Sequence, residues 1–330
     1  MLKRVKNDRY EILFDSSTGF EILQGINGYS DPFALDYPSL IDIGIMGHCD
    51  NKCVYCYQGD LIQPNMKLEH FKRIIDESKK NTMQVALGGR GNPNKHENFL
   101  QVVAHCRNNN VVPSYTTSGI DLTQKEVEIT KEYCGAVAIS MHSKDYTWRA
   151  IKMFTEAGCL TNIHYVLSEH SFWPALALVR GENVYNECFD TEKINAIIFL
   201  LFKPQGRAKD LLDWRLSEDK LALFFREILA NEDKRNFLVG MDSCLVNKMK
   251  KLDIKLDPMQ EMSVDSCEGA RMSCYISPDM KLMPCSFCNQ EDEGQSILDS
   301  SIQEIWAGGE KFKNFRNKLV YNPTVCPYEL

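Results

Sequence analysis

No run in the 330 residues approaches the ~20 consecutive apolar residues of a membrane span, so no spanning helix is expected. A basic excess is missing too: 38 Lys plus Arg stand against 45 Asp plus Glu, a net charge of −7, which disfavours a bare nucleic-acid backbone as partner. Behind the charges of residues 1–9 there is no apolar stretch, so that segment does not read as a signal peptide. A cytoplasmic location with reduced cysteines is therefore expected, in a setting protected from oxygen if those cysteines hold iron. With 44% hydrophobic and 25% charged residues, the composition leaves no room for extended disorder. The length suits one large α/β domain of about 200 to 250 residues with a smaller appendage.

Cysteine is abundant, with 13 in the chain. Three of them form Cys49-x-x-x-Cys53-x-x-Cys56, directly behind the apolar run Leu40-Ile41-Asp42-Ile43-Gly44-Ile45-Met46, where a buried strand should end. Short loops between thiolates let one segment wrap a cubane [4Fe–4S] cluster, and three ligands leave the fourth iron open to a small molecule. A zinc site would pair its cysteines as two C-x-x-C knuckles, whereas this spacing is unequal and no fourth cysteine is near.

After this loop, short apolar runs alternate with amphipathic stretches, the pattern of βα units around a parallel sheet. Leu68, Phe71, Ile74 and Ile75 share a helical face, and a second helix is expected around Phe99, Leu100, Val103 and Ala104. Strands are expected over 40–46, 84–87, 111–117, 136–140, 162–167 and 196–202, with another at 237–242. In such barrels the loops at the C-terminal strand ends carry the active site. That rule selects the cysteine loop, Gly88-Gly89-Arg90, Thr116-Thr117-Ser118-Gly119, Ser140-Met141-His142 and Phe202 to Ala208.

The segment from Gly44 to Tyr57, including Tyr55 before the last cysteine, resembles the signature of the radical S-adenosylmethionine (SAM) enzymes. The resemblance implies a partial (β/α)6 TIM-like barrel with Cys49, Cys53 and Cys56 on a [4Fe–4S] cluster. SAM would chelate the open iron and be cleaved by one electron to a 5′-deoxyadenosyl radical, which abstracts a hydrogen from substrate. The electron would come from a donor such as flavodoxin or ferredoxin. It also implies that Gly88 and Gly89 approach the methionine part of SAM, although the family's usual Gly-Gly-Glu acid is Arg90 in this chain. Thr116 to Gly119 resembles the family's Thr-x-Asn-Gly strand end, with Ser118 in the Asn position. Tyr55 and Ser140 complete the cofactor-binding set, while His142 reads equally as structural or catalytic. Pro204-Gln205-Gly206-Arg207-Ala208 is similar to the Pro-x-Gly-Arg-Ala segment after the sixth strand, where Arg207 would meet a substrate carboxylate or the sheet edge.

Five further cysteines crowd the last quarter: Cys267, Cys274, Cys285, Cys288 and Cys326. Cys274 and Cys285 flank a hairpin turning at Pro278-Asp279, and a hairpin returns its ends to one place. The region resembles the SPASM and twitch extensions of peptide-modifying radical SAM enzymes, through Cys267-x-Gly269, Pro284-Cys285 and the Trp306 helix running on through Phe312 and Arg316. Five cysteines fall short of the seven of a full SPASM set, so one auxiliary [4Fe–4S] cluster is expected. By position its ligands are Cys267, Cys274, Cys285 and Cys326, with Cys288 the alternative for Cys274 or Cys326 and zinc the alternative occupant. Cys244, behind the strand at 237–242, reads three ways: hydrogen donor to a substrate radical, cluster ligand, or buried thiol. Cys106, Cys134, Cys159 and Cys188 are expected to pack.

The expected units are an N-terminal cover over 1–38, the barrel over 39–243 and the auxiliary α+β iron–sulfur domain over 244–330. Tyr10 to Asp15 and Gly19 to Leu23 read as a hairpin. Its edge could pair with an extended peptide, or the pair could cover the open side of the barrel. The resemblance favours a ribosomally made peptide as substrate, crosslinked or epimerised, with a separate leader-binding protein conceivable. Oxidation of a small molecule or nucleotide is the alternative, and a non-catalytic iron–sulfur protein the second.

Overall fold

A computed structural model describes residues 2–182, 184–252, 254–262, 264–288 and 294–328, and the element counts below are of those residues. Three short strands come first, β1 (Leu2–Lys6), β2 (Tyr10–Asp15) and β3 (Glu21–Gly25), forming an antiparallel sheet of order β1-β2-β3. The barrel then runs β4 (Leu40–Ile43), α1 (Leu68–Ser78), β5 (Gln84–Leu87), α2 (Phe99–Asn108), β6 (Val112–Thr117), α3 (Gln124–Tyr133), β7 (Val137–Ser140), α4 (Asp145–Glu156), β8 (Thr161–Leu167), α5 (Phe172–Val179), β9 (Ala196–Leu201), α6 (Glu218–Ala230), β10 (Leu238–Met241) and α7 (Ser243–Lys251). The remainder is α8 (Pro258–Met262), β11 (Ser273–Ile276), β12 (Lys281–Met283), β13 (Gln295–Ser296), α9 (Ile302–Gly308) and α10 (Glu310–Tyr321).

Strands β4 to β10 are parallel neighbours in chain order, as right-handed βα units require. β11 then pairs parallel with β4, and β12 and β13 continue the sheet antiparallel. One ten-stranded sheet thus runs from the barrel into the C-terminal hairpin, with no break between them.

The pleat sorts the side chains. Ile41, Ile43, Val85, Leu87, Tyr115, Ile139, Ile163 and Phe199 point outward into the helix-covered core and are buried. Several inward positions on β4 to β8 are small or polar: Asp42 beside Ala86, Ala86 beside Ser114, and Ser140 beside His164. Side chains of that size leave a lumen rather than a filled barrel. On α2, at the helix expected there, the buried face is Phe99, Val102, Val103 and Cys106, while Leu100 is 40% exposed.

The first sheet packs at the opposite end from the cysteine loop. Tyr10, Ile12, Phe14 and Leu35 cluster with Met83 and Val112, which stand at the entrances of β5 and β6. The Lys3 ammonium donates to the carbonyls of Lys79, Thr82 and Asn110, closing that end. At the C-terminus, one helix is expected through Trp306 to Arg316, but the chain breaks at Gly308-Gly309 into α9 and α10. A Cβ at Gly309 would lie 2.5 Å from the Ile305 carbonyl oxygen. The break lets the Arg316 guanidinium stack 4.6 Å from the Trp306 ring, while the buried Trp306 indole donates to Leu35 at 2.9 Å.

Candidate active site and the two cysteine groups

Residues 44–67 form an irregular loop at the C-terminal mouth of the barrel, and a loop there must satisfy its own backbone. Three side chains from strand ends do so. Arg90, after β5, is 4% exposed and donates to the carbonyls of Gln58, at 2.9 Å, and Leu61. Arg207, after β9, donates to the carbonyls of Cys53 at 2.8 Å and Gly59 at 3.3 Å and pairs with Asp60 at 2.6 Å. His142, after β7, lies 2.7 Å from the Tyr55 hydroxyl and 3.4 Å from the Asn51 amide, and its ring stacks on that of Tyr55 at 6.0 Å. Burial lowers the His142 pKa, which favours the neutral ring at that bond. Arg207 is thus turned onto the cysteine loop rather than to the sheet edge, and Arg90 occupies the acid's position as a brace.

With the carbonyls held, the three thiols share one small region. Burial, then Cys56 and Cys49, push the Cys53 thiol up to about 11, with Arg207 pulling the other way. Three thiols gathered in one loop suit an iron cluster, which takes up thiolate charge as it forms.

Around them lie the other expected cofactor residues. A Cβ at Gly88 would meet nothing within 4 Å, so that backbone faces open lumen. Gly89, at φ +80°, is different: a Cβ there would sit 2.7 Å from the Tyr275 hydroxyl, and one at Gly44 only 2.4 Å from it. Tyr275, from β11, therefore fills the notch between the ends of β4 and β5, and both glycines make room for it. Its buried hydroxyl has no hydrogen-bond partner among the described residues. Ser118 is buried, and its N–H donates to the Asn92 side chain at 2.8 Å while its hydroxyl accepts from Ile120 at 3.3 Å, a turn-holding role. Ser140 lies beside His164 on the lumen face. His164 faces Thr116 at 3.4 Å, and burial lowers its pKa to about 4, so it is neutral. The lumen thus combines an open backbone cradle, an orphan hydroxyl and three thiols, a donor set that fits a [4Fe–4S] cluster with SAM.

The second cysteine group differs from the expected one in a single member. Cys244, Cys267, Cys285 and Cys326 all lie within electrostatic reach of one another, in all six pairings. Cys244 donates a hydrogen bond to Cys326, lowering the Cys326 pKa and raising that of Cys244. Backbone N–H groups of Gly269, Phe287 and Tyr328 point at Cys267, Cys285 and Cys326 and favour their thiolates. Cys288 neighbours Cys285.

Cys274 stands apart, and the pleat is the reason. β11 pairs Tyr275 with Met283, so Cys274 falls opposite Pro284 and Cys285 falls on the other face. Cys274 points outward with Ile41, between Asp42 and Arg316, whereas Cys285 shares the face of Tyr275 and Met283. Among the described residues no three His, Cys, Asp or Glu side chains crowd tightly enough to grip a single ion. Thiols around a cubane stand farther apart, because each binds a different iron.

The two groups are joined by packing. Tyr57, next to Cys56, lies 4.3 Å from the Phe287 ring, which sits between Cys285 and Cys288. The Lys203 ammonium lies 3.6 Å over that same ring and 2.9 Å from Asp242. Burial works against the Lys203 charge, but Asp242 and Cys244 outweigh it and hold the pKa above its ordinary range.

Solved structures share the fold of this chain. SuiB from Streptococcus suis superposes with a TM-score of 0.72 at 15% identity, over 96% of this chain and 89% of SuiB. SuiB bound to its precursor peptide SuiA gives 0.72 at 15% identity, over 95% of this chain and 90% of that one. Native anSMEcpe with bound AdoMet and Cp18Cys peptide gives 0.62 at 15% identity, over 84% and 82%. No family model and no curated protein sequence matches the chain. Among the described residues no helix is long and apolar enough to cross a membrane.

Proposed function

We propose that this protein is a radical SAM enzyme that abstracts a hydrogen from a ribosomally made peptide. The observation that carries the reading is the braced loop of Cys49, Cys53 and Cys56 beside the open cradle at Gly88. Those three thiols would hold the cluster, with Gly88, Tyr55 and Ser140 against SAM. A [4Fe–4S] cluster with SAM supplies, when bound, one-electron cleavage to a deoxyadenosyl radical that removes a hydrogen. The chain's own part is to orient and shield: Arg90, Arg207 and His142 fix the loop, and Tyr275 closes the wall between β4 and β5. His164, neutral in the lumen, offers a hydrogen-bonding group without a charge.

Cys244, Cys267, Cys285 and Cys326 would hold one auxiliary [4Fe–4S] cluster, with Cys244 in the place expected for Cys274. Support comes from their mutual proximity and from the outward register of Cys274. This favours the ligand reading of Cys244 over hydrogen donor. A peptide substrate is supported by the likeness in fold to SuiB and anSMEcpe, both solved with peptides.

Reconstituted protein given SAM and dithionite is expected to release 5′-deoxyadenosine, and no release from protein with intact clusters would refute the enzyme reading. Iron counting tests the ligand sets. Wild type should bind about eight irons, and the triple variant C49A/C53A/C56A about four. Adding C244A to that triple variant should remove the remaining iron, whereas adding C274A should leave it.

A further inference from the structure

A cavity of about 290 Å³ opens beside the auxiliary cysteines, between the loop after β9, the start of α6, α7 and the C-terminal tail. Cys244 and Cys326 form part of its wall. Leu201, Phe202, Leu216 and Leu221 make much of the remainder apolar. Cys244 and Asn247, three residues apart on α7, lie on one helix face, so the same face carries a thiol and a carboxamide to the cavity.

Asn247 is the unusual member. It is 3% exposed, and its Oδ1 has no hydrogen-bond partner among the described residues. A buried carboxamide oxygen without a partner destabilises the fold that contains it, so its presence in a cavity wall points to a ligand that completes it. The group displays one acceptor and one donor side by side. That is the complement of the backbone of one extended residue, whose own N–H and C=O point to the same side of the strand. The charges narrow the choice. Lys203 is already paired with Asp242, but Lys248 and Arg215 still outnumber the one acid in the lining, Glu218, which favours an acidic neighbour on the bound segment.

We infer that this cavity receives an extended segment of a peptide, in which Asn247 pairs with the backbone N–H and C=O of an apolar residue whose side chain enters the Leu201, Phe202, Leu216 and Leu221 wall. The inference rests on the peptide reading of the function and names a subsite for it. A segment held there lies against Cys244 and Cys326, so the peptide runs past the second cysteine group as well as the barrel mouth. At about 290 Å³ the cavity takes a side chain with its flanking amide and not a whole peptide.

The probe is N-acetyl-glutamyl-leucine N-methylamide, compared with the ester analogue in which the leucine N–H is replaced by oxygen. Binding to the reconstituted holoenzyme is measured by anaerobic calorimetry. Wild type is expected to prefer the amide about 10-fold, since the ester leaves Oδ1 unpaired. In Asn247→Leu the amide should bind about 10-fold more weakly and the preference should fall to about 1. The same variant should melt higher than wild type without ligand, because it removes an unsatisfied buried amide. An amide preference equal in wild type and variant overturns the inference, and so does the absence of measurable amide binding to wild type. Release of 5′-deoxyadenosine by wild type without probe is assayed separately. If it occurs while the amide preference fails, only the subsite falls. If the preference holds but no release occurs, the enzymatic reading falls and the pocket stands.

Discussion

Replacing Arg90 by glutamate would restore the acid that the Gly-Gly-Glu pattern of radical SAM enzymes leads one to expect, and the structure requires that change to be harmful. Arg90 is 4% exposed and bonds two carbonyls of the loop that carries the thiols, those of Gln58 and Leu61. Charge-assisted hydrogen bonds contribute about 1.5–3 kcal/mol each, so losing both costs roughly 3 kcal/mol at the lower limit. A carboxylate in the same pocket adds repulsion from the two carbonyl oxygens it would face. The cost falls on the loop, because the β5 strand behind Arg90 is held by both its neighbours. About 3 kcal/mol is on the order of a hundredfold in the opening equilibrium of that segment.

Amide hydrogen exchange on the iron-free protein reads this directly and does not depend on cluster loading. Amides between residues 58 and 63 should exchange on the order of a hundred times faster in Arg90→Glu, with the strands unchanged. Arg90→Lys, which keeps the charge but not the fork, should fall between the two. Equal exchange in wild type and Arg90→Glu would refute the brace, and tighter SAM binding by Arg90→Glu would restore the acid reading of the position.

Three further outcomes follow from the same packing. Gly44→Ala should lower stability by about 1–3 kcal/mol through the clash with the Tyr275 hydroxyl, and Tyr275→Phe should recover most of that loss in the double variant, read as denaturant midpoints. For His164, burial depresses the pKa from 6.5 to about 4, so the unfolded chain binds the extra proton first and stability falls as pH drops through that window; His164→Gln should remove ~3 kcal/mol of this acid sensitivity. Asp42 runs oppositely, since burial and then Glu268 raise its pKa from 3.8 to about 7 and stability falls as pH rises through that window; Asp42→Asn should steepen the wild-type dependence in favour of high pH, as urea midpoints between pH 4 and 7 would report.

Most of the barrel was legible because its strands are short apolar runs at regular spacing. β5 coincides with the expected 84–87, and the other barrel strands lie within a few residues of theirs. β1 was not, since Leu2–Lys6 carries three basic residues and exposes alternate positions as an edge strand does. The three-cysteine loop could be read from spacing alone, but its braces could not. Arg90 and Arg207 belong to distant strand ends, and only the assembled sheet brings both onto carbonyls of one loop. The fourth member of the second cysteine group was hidden for another reason. Proximity in a hairpin does not imply a shared face, and the parity that separates Cys274 from Cys285 follows from the Tyr275 to Met283 register. The turn over Ser277 to Lys281 held that signal, because its hydrogen bonds fix the register.

The same parity gives the C-terminal hairpin its bearing on the barrel. Because Tyr275 points inward when Cys274 points outward, the strand that leads to Cys285 also places a ring against Gly44 and Gly89 at the mouth. Tyr57, next to Cys56, then packs on Phe287, next to Cys288. A shift of the hairpin by one residue would reverse both faces at once, removing Cys285 from its three partners and Tyr275 from the two glycines. The two cysteine groups are therefore fixed relative to one another by strand register rather than by a flexible linker. Loosening β11 from β4 should disturb both together, with the loop around Cys53 and the site around Cys244 losing hydrogen-exchange protection in one cooperative step. Independent loss of the two would mean that the register does not couple them.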